Sequence, residues 1–270
     1  MDIPDLPKKY RSTIRRISSI LLFIVIWHIL VVSADKGIYT IPGLEFGSIP
    51  TPIETWNGFI ESIGTTRTGP VVRYGIEYHI LYSLRRVLIA FIFSLIVGIP
   101  IGLGIGYSKT IRDLFEPIIE LSRHVPPIAW IPLTLFIISI GWFRPVFIVF
   151  IGIVFPLVLN TVYGVQNTNE RFVEIAKTLG ANKYQVLLKV VIPASIPSIM
   201  TGARVGLGIG WMTIVAAEMI IESRIGIGYM IWQTGEIGHY PSMIAAMIVT
   251  GIVGFSMDRG IRLLKSKIWT

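Results

Sequence analysis

Cysteine is absent from the chain. That excludes a disulfide framework, thiolate chemistry and any cysteine metal site. No Gly-Lys pair occurs, so the G-x-x-x-x-G-K-[ST] loop that cradles nucleotide phosphates is missing, and energy must come from a partner or an ion gradient. The four histidines, His28, His79, His124 and His239, have no metal-ligand spacing. Neither H-E-x-x-H nor G-x-S-x-G is present, which removes the signals for zinc proteases and serine hydrolases. The run Gly206-Leu207-Gly208-Ile209-Gly210 lacks the rest of a dinucleotide fingerprint. Charge is scarce as well. Only 15% of the 270 residues are charged, against roughly 25% in soluble domains. Hydrophobic residues make up 53%, and mean hydropathy is +0.70. Several uncharged runs approach the ~20 residues that cross a bilayer as a helix. The composition is that of an all-α integral membrane protein. Its net charge of +8 is spread along the chain rather than gathered on one soluble module, which argues against nucleic acid as a partner.

The apolar runs predict six spans, at residues 17–32, 82–107, 114–141, 145–163, 194–221 and 241–257. Val32-Ser33-Ala34 could serve as a signal-peptidase site, but the many later spans favour an uncleaved first helix. Lys and Arg are about twice as frequent in the N-terminal tail, residues 109–112, residues 171–189 and the C-terminal tail as in the intervening segments. That bias places both termini in the cytoplasm of a cell-membrane protein. Between the first two spans, Thr51-Pro52-Ile53-Glu54 has the form of a capping box with proline in the first turn. Ile53, Trp56, Ile60 and Ile63 then make one apolar stripe, closed by Gly64. This predicts a short amphipathic helix on the outer membrane face or on the bundle.

Polar residues inside the spans are the candidates for function. Arg85 and Arg86 open the second span, and either snorkel to headgroups or attract an anionic substrate. Pro126, Pro127 and Pro132 break the third span. Irregular backbone at membrane depth is tolerated only beside protein or a water-filled path. With Trp130, these prolines mark a candidate translocation path. Arg123 and His124 precede the break, where they either anchor the cytoplasmic edge or line that path. Arg204 lies inside the fifth span, with Glu116, Glu120, Glu218 and Glu222 as candidate partners. Trp211, Thr213, Glu218 and Ser223 surround the outer half of that span, and Trp130, Trp211 and Glu218 are candidates for selectivity, against core packing as the default. Gly98, Gly102 and Gly106 form one double GxxxG face, and Gly202, Gly206 and Gly210 a second. Such faces let helices approach closely; a smooth sliding path is the alternative reading. Nothing in the sequence pairs the two faces.

A polar island at residues 170–193, ERFVEIAKTLGANKYQVLLKVVIP, separates two long apolar stretches. Phe172, Ile175, Ala176 and Leu179 have the spacing of one helix face. Gly180 suits a left-handed helix end, and Asn182 suits the cap of a second helix. Tyr184, Leu187, Leu188 and Val191 repeat the apolar spacing there, and Pro193 is expected to end it. Two short amphipathic helices meeting at an angle would make a docking knob.

Glu174, Ala176, Gly180, Val190, Ile192 and Pro193 resemble the EAA motif of ABC-importer permeases. In that motif Glu-Ala-Ala is followed at fixed spacing by Gly and then by Ile-x-Leu-Pro. Ile175 stands for the first of the two Ala, Val190 for the Ile and Ile192 for the Leu, with the spacing intact. Residues 123–133 and 215–220 are similar to a subgroup that imports nitrate, sulfonates and taurine. The segment 49–52 and the helix after it also resemble the permease family, so the likeness covers roughly residues 49–265.

The resemblance implies a six-helix type I ABC importer permease bundle with cytoplasmic coupling helices. Glu174, Ala176, Gly180 and Pro193 would form the loop that seats in an ATPase subunit. It also implies a separate ABC ATPase, an extracytoplasmic substrate-binding protein and a permease homodimer. The chain itself would be no enzyme and would carry no cofactor or metal. The expected parts are an N-terminal region at 1–79, a permease core at 80–262 and a basic tail at 263–270. The solute would be small and anionic. The rival is an ion-coupled secondary transporter built on Arg204 and Glu218. Its halves should repeat internally, and no such repeat is visible.

Overall fold

The structure, a computed structural model, describes residues 8–37, 48–64, 74–221 and 224–268, with side chains placed between residues 14 and 263. Glu222 and Ser223 lie outside the described residues. All regular structure among the described residues is helical. In chain order the elements are α1 (Lys8–Asp35), α2 (Pro52–Glu61), α3 (Ile76–Tyr107), α4 (Lys109–Ser122), a 3-10 turn (Pro127–Trp130), α5 (Ile131–Ile137), α6 (Phe143–Gln166), α7 (Glu170–Thr178), α8 (Lys183–Val186), a π-turn (Leu187–Val191), α9 (Ile192–Ile220), α10 (Ile227–Glu236) and α11 (Tyr240–Ile268).

Among the described residues, five helical stretches are long and apolar enough to cross a membrane: Ile14–Asp35, Ile76–Tyr107, Phe143–Gln166, Lys183–Ile220 and Tyr240–Leu263. Five of the six expected spans are therefore present as long helices. The third is not. In its place stand α4, which buries no residue, and the short pieces from Pro127 to Ile137. The helix also begins earlier than expected, because Ser108 Oγ accepts the Ile111 N–H and caps it. Lys109, Arg112 and Asp113, which precede the expected span, thus belong to an amphipathic helix. Each proline after the break occupies a first turn, Pro127 in the 3-10 turn and Pro132 in α5. There the missing N–H has no partner to lose.

The chain divides into two compact units. One comprises Met1–Gly75 with Ile231–Ile248. In it the expected capping box forms. Glu54 N–H donates to Thr51 Oγ1 at 3.3 Å, and Thr51 N–H donates to Glu54 Oε2 at 2.7 Å. Gly58 lies against the start of α11, where a Cβ would stand 2.6 Å from the Pro241 carbonyl carbon. Ser62 Oγ donates to Ser242 Oγ at 3.0 Å, and Ser242 Oγ donates to the Gly58 carbonyl at 3.1 Å. The stripe Ile53, Trp56, Ile60 and Ile63 faces outward and is exposed. Helix α1 likewise leaves nearly all of its apolar surface uncovered, as a helix bathed in lipid would.

The second unit, Ile76–Met230 with Val249–Thr270, holds the main core. Helix α6 runs between α3 and α9, and glycines make both approaches possible. On α3, a Cβ at Gly102 would stand 2.5 Å from Thr161 Cβ, and one at Gly106 would stand 2.6 Å from Val165 Cβ. On α9, a Cβ at Gly206 would stand 2.9 Å from the Ile153 carbonyl oxygen, and one at Gly210 2.7 Å from Ile153 Cδ1. Gly98 meets Leu157 and Gly202 meets Asn160. The two glycine faces therefore grip opposite sides of one helix and do not pair with each other. Without Cβ atoms the backbones come close enough for dispersion contacts that lipid cannot replace. The result is a core of Val149, Ile153, Leu157 and their neighbours.

Candidate functional site

The island at 170–193 folds as two short helices joined by a tight turn. Asn169 caps α7 by accepting the Arg171 N–H at 3.0 Å. Its C-terminus is a Schellman motif: Ala181 N–H donates to the Ala176 carbonyl at 3.0 Å, and Gly180 N–H donates to the Lys177 carbonyl at 2.9 Å. The turn needs the left-handed backbone that Gly180 adopts, at φ 83°. Asn182 and Gln185 then form a capping box for α8, each accepting the other's N–H at 2.9 Å.

The apolar residues of this knob divide in a way that spacing alone did not predict. Val173, Ala176, Ala181 and Leu187 pack on buried Val165, Val186 and Val191, and Leu103 joins them. Phe172, Ile175 and Leu179 on α7, with Tyr184 and Leu188, stay exposed, Leu179 at 82%. The expected stripe of Phe172, Ile175, Ala176 and Leu179 is therefore not one face: Ala176 belongs to the packed side and the other three to the open side. Glu174 is also exposed. Pro193 departs from expectation too. It does not end the second helix but sits in the first turn of α9, and Lys183–Ile220 is one continuous stretch. A π-turn makes this possible. The Ile192 N–H reaches back to the Leu187 carbonyl, so the backbone is wide where the Pro193 ring would strike the Lys189 carbonyl.

At the other end of α9, Glu218 is fully buried. Arg86 Nη1 donates to Glu218 Oε1 at 2.7 Å and to the Ile225 carbonyl at 2.8 Å. Ser83 Oγ donates to Glu218 Oε2 at 2.7 Å and accepts the Ile227 N–H at 2.8 Å. The Gly228 N–H donates to Glu218 Oε2 at 3.1 Å. His79 Nδ1 lies 3.0 Å from the Gly226 nitrogen and stacks on Tyr229. Arg86 was expected either to snorkel to headgroups or to attract an anionic substrate. It turns inward instead, because a buried carboxylate needs a positive partner; Arg85 remains exposed. The signal for this was available: His79, Ser83 and Arg86 lie on the same face of α3 as Ser94 and the glycines.

Arg204 pairs with neither Glu116, Glu120 nor Glu218. Its Nε donates to Asp258 Oδ1 at 2.5 Å and its Nη2 to Oδ2 at 3.3 Å, and Arg262 shares Asp258 at 2.6 Å. Asp258 was missed because α11 continues through residues read as an inner tail. Trp211 is buried, stands over Gly254 and donates its Nε1–H to the Thr250 carbonyl at 3.0 Å. Arg204 and Glu218 thus sit in separate ion pairs with different partners.

At the helix break, Trp130 is half-buried, and its Nε1 has no hydrogen-bond partner among the described residues. Pro126 is exposed and Pro127 half-buried. Pro127 forms part of the wall of a cavity of about 400 Å³ with Arg123, His124, Gly152, Phe155 and Ile209. Arg123 and His124 therefore lie on the cavity rather than only at an edge.

Residues 87–270 match the family model described as binding-protein-dependent transport system inner membrane component. A putative ABC transporter permease protein of Methanocaldococcus jannaschii is 37% identical over 96% of this chain and 93% of its own length. The chain belongs to this permease family. The taurine transport system permease protein TauC of Escherichia coli is 36% identical over 70% of this chain and 69% of its own length. The nitrate import permease protein NrtB of Synechocystis is 32% identical over 95% and 90%. The fold is also that of a chain in the inward-facing MetNI methionine ABC transporter, with a TM-score of 0.59 at 19% identity, covering 68% of this chain and 93% of that one. The protein is a multi-pass membrane permease subunit of an ABC importer.

Proposed function

We propose that this permease forms the membrane path for a small oxygen-bearing anion, of the nitrate, sulfonate or taurine kind, delivered by a separate extracytoplasmic binding protein. An ABC ATPase seats on the cytoplasmic knob of α7 and α8, a second copy of the chain completes the path, and both termini lie in the cytoplasm. The chain needs no cofactor of its own. The observation that carries this reading is the exposed apolar set Phe172, Ile175, Leu179 and Tyr184 on a knob whose other side is anchored. Exposed apolar residues rimmed by Glu174, Lys177 and Lys183 suit a partner surface rather than water. The knob is anchored through Val165 at the end of α6 and continues without a break into α9. Movement of a docked partner therefore acts directly on two spanning helices. The free energy available is the difference in contacts between the two states.

Coexpression of the permease with its ATPase, followed by purification through a tag on the permease, tests the reading. Leu179→Asp places a charge on the docking face without touching a packed residue. It should release the ATPase while the permease keeps its yield and elution position. Retention of the ATPase by that variant, or by Phe172→Asp, overturns the assignment. The same preparation, incubated with labelled nitrate, bicarbonate or taurine and the loaded binding protein, tests the solute class.

A further inference from the structure

Two of the cavities in the second unit have charged side chains in their walls, and they differ in what those charges leave over. The smaller, about 260 Å³, is lined by Arg204 together with Asp258, which holds two of its nitrogens. Its positive charge is matched within the wall. The larger, about 400 Å³, is lined by Arg123, His124 and otherwise apolar or glycine positions, with no carboxylate in its wall among the described residues. That volume lies within the ~300–1,000 Å³ of ordinary ligand pockets.

The geometry points to Arg123, with His124 beside it, as the group that reads the transported anion where the third span is broken. This rests on the importer reading above and assigns its solute site. Three observations converge on it. The helix is interrupted at Pro126–Pro127 beside the cavity, and irregular backbone at membrane depth is tolerated beside protein or a water-filled path. The guanidinium fork matches two oxygens of a planar or tetrahedral oxoanion. Its carboxylate contact is slight: Arg123 Nη2 lies 3.3 Å from Glu120, and both side chains are solvent-accessible, so water screens the pair and it competes weakly with a ligand. Gly152 lines the same cavity. A Cβ there would stand 3.4 Å from Pro127 Cγ and 3.1 Å from Thr213 Oγ1, so a side chain at 152 would narrow the space beside Arg123.

The test uses proteoliposomes of the assembled importer with its binding protein, and labelled nitrate, bicarbonate and taurine as probes. Solute imported per ATP hydrolysed is the readout. Arg123→Gln should lower that ratio about tenfold, and Arg123→Lys, which keeps the charge but loses the fork, should fall between. Glu120→Gln removes the competitor and should raise import at low probe concentration about twofold. Gly152→Ala should reduce taurine import more than nitrate import. An unchanged ratio in Arg123→Gln overturns the assignment, as does a loss in Glu120→Gln equal to that in Arg123→Gln, which would mark the pair as an anchor. A wild-type importer that moves a solute lacking any oxoanion group and none of the three probes overturns the solute class itself, independently of the variants.

Discussion

Arg86 and Glu218 meet at 2.7 Å with their side chains 10% and 0% exposed, so an ion pair joins α3 to α9 where almost no water reaches. Two charges so placed attract strongly only while both are present; removing one leaves the other desolvated and uncompensated. Glu218→Ala should cost about 3–5 kcal/mol, which corresponds to a fall in Tm of roughly 10 °C for a protein of this size. The double variant Arg86→Met, Glu218→Leu should recover much of that loss. Thermal unfolding in detergent, followed by elution of the folded fraction, measures both. A loss in the double variant equal to the sum of the losses in Arg86→Met and Glu218→Leu alone would show that the pair carries no coupling.

The same network predicts sensitivity at two glycines. Gly226 has φ 151°, and a Cβ there would overlap the Glu218 carboxylate; one at Gly228 would overlap the Val215 carbonyl oxygen. Gly228→Ala should therefore lower Tm at least as far as Glu218→Ala does. A neutral effect in the same unfolding assay would mean that the start of α10 can move away freely.

Helix α3 offers an internal control for the glycine faces. A Cβ at Gly102 would press into Thr161, whereas one at Gly104 would find its nearest neighbour at 3.9 Å. Gly102→Ala should destabilise by about 1–3 kcal/mol through overpacking. Gly104→Ala should be neutral or gain up to about 1 kcal/mol from helix propensity. The two Tm values, measured side by side, should move apart. Parallel shifts would argue against close packing on α6.

Gly180 separates docking from backbone strain. Nothing lies within 4 Å of a Cβ built there, so bulk is accommodated, but at φ 83° an ordinary L-residue is strained. Gly180→Trp should abolish transport through both effects together. Gly180→Asn tolerates the left-handed region and should keep most ATPase retention, while Gly180→Val costs roughly 1–2 kcal/mol locally and should lose it. Tm of the permease should be the same in both, because the spans do not depend on this turn. The comparison is read from ATPase recovered per permease.

Arg204 and Asp258 should behave as one unit. Arg204→Ala and Asp258→Ala should each lower the yield of folded permease, and the double variant should be no worse than the poorer single. Additive losses would indicate that each residue acts alone.

The parts legible in the sequence were those governed by neighbours along the chain. Thr51 with Glu54, Asn182 with Gln185, and Gly180 at a helix end are capping chemistry within a few residues, and each formed as its spacing required. Five of the six apolar runs were equally legible, because the length of a span is set by bilayer thickness. Partner choice was not. Arg86 could face lipid headgroups or a carboxylate, and Arg204 had four acidic candidates before Asp258 proved to be its partner. The knob's apolar residues had helical spacing, yet which of them were packed depended on where Val165 and Val191 arrived.

The chain by itself therefore determined a helical membrane protein with a capped, glycine-hinged knob, since hydrogen bonding, capping and hydropathy act over one or two turns. Only the tertiary structure decided that both glycine faces hold α6, that Glu218 is sealed by Arg86, and that Arg123 borders a cavity with His124 and apolar neighbours. Those outcomes depend on contacts between helices far apart in sequence. Burial makes an unpaired charge or a displaced methylene costly only after the helices have met.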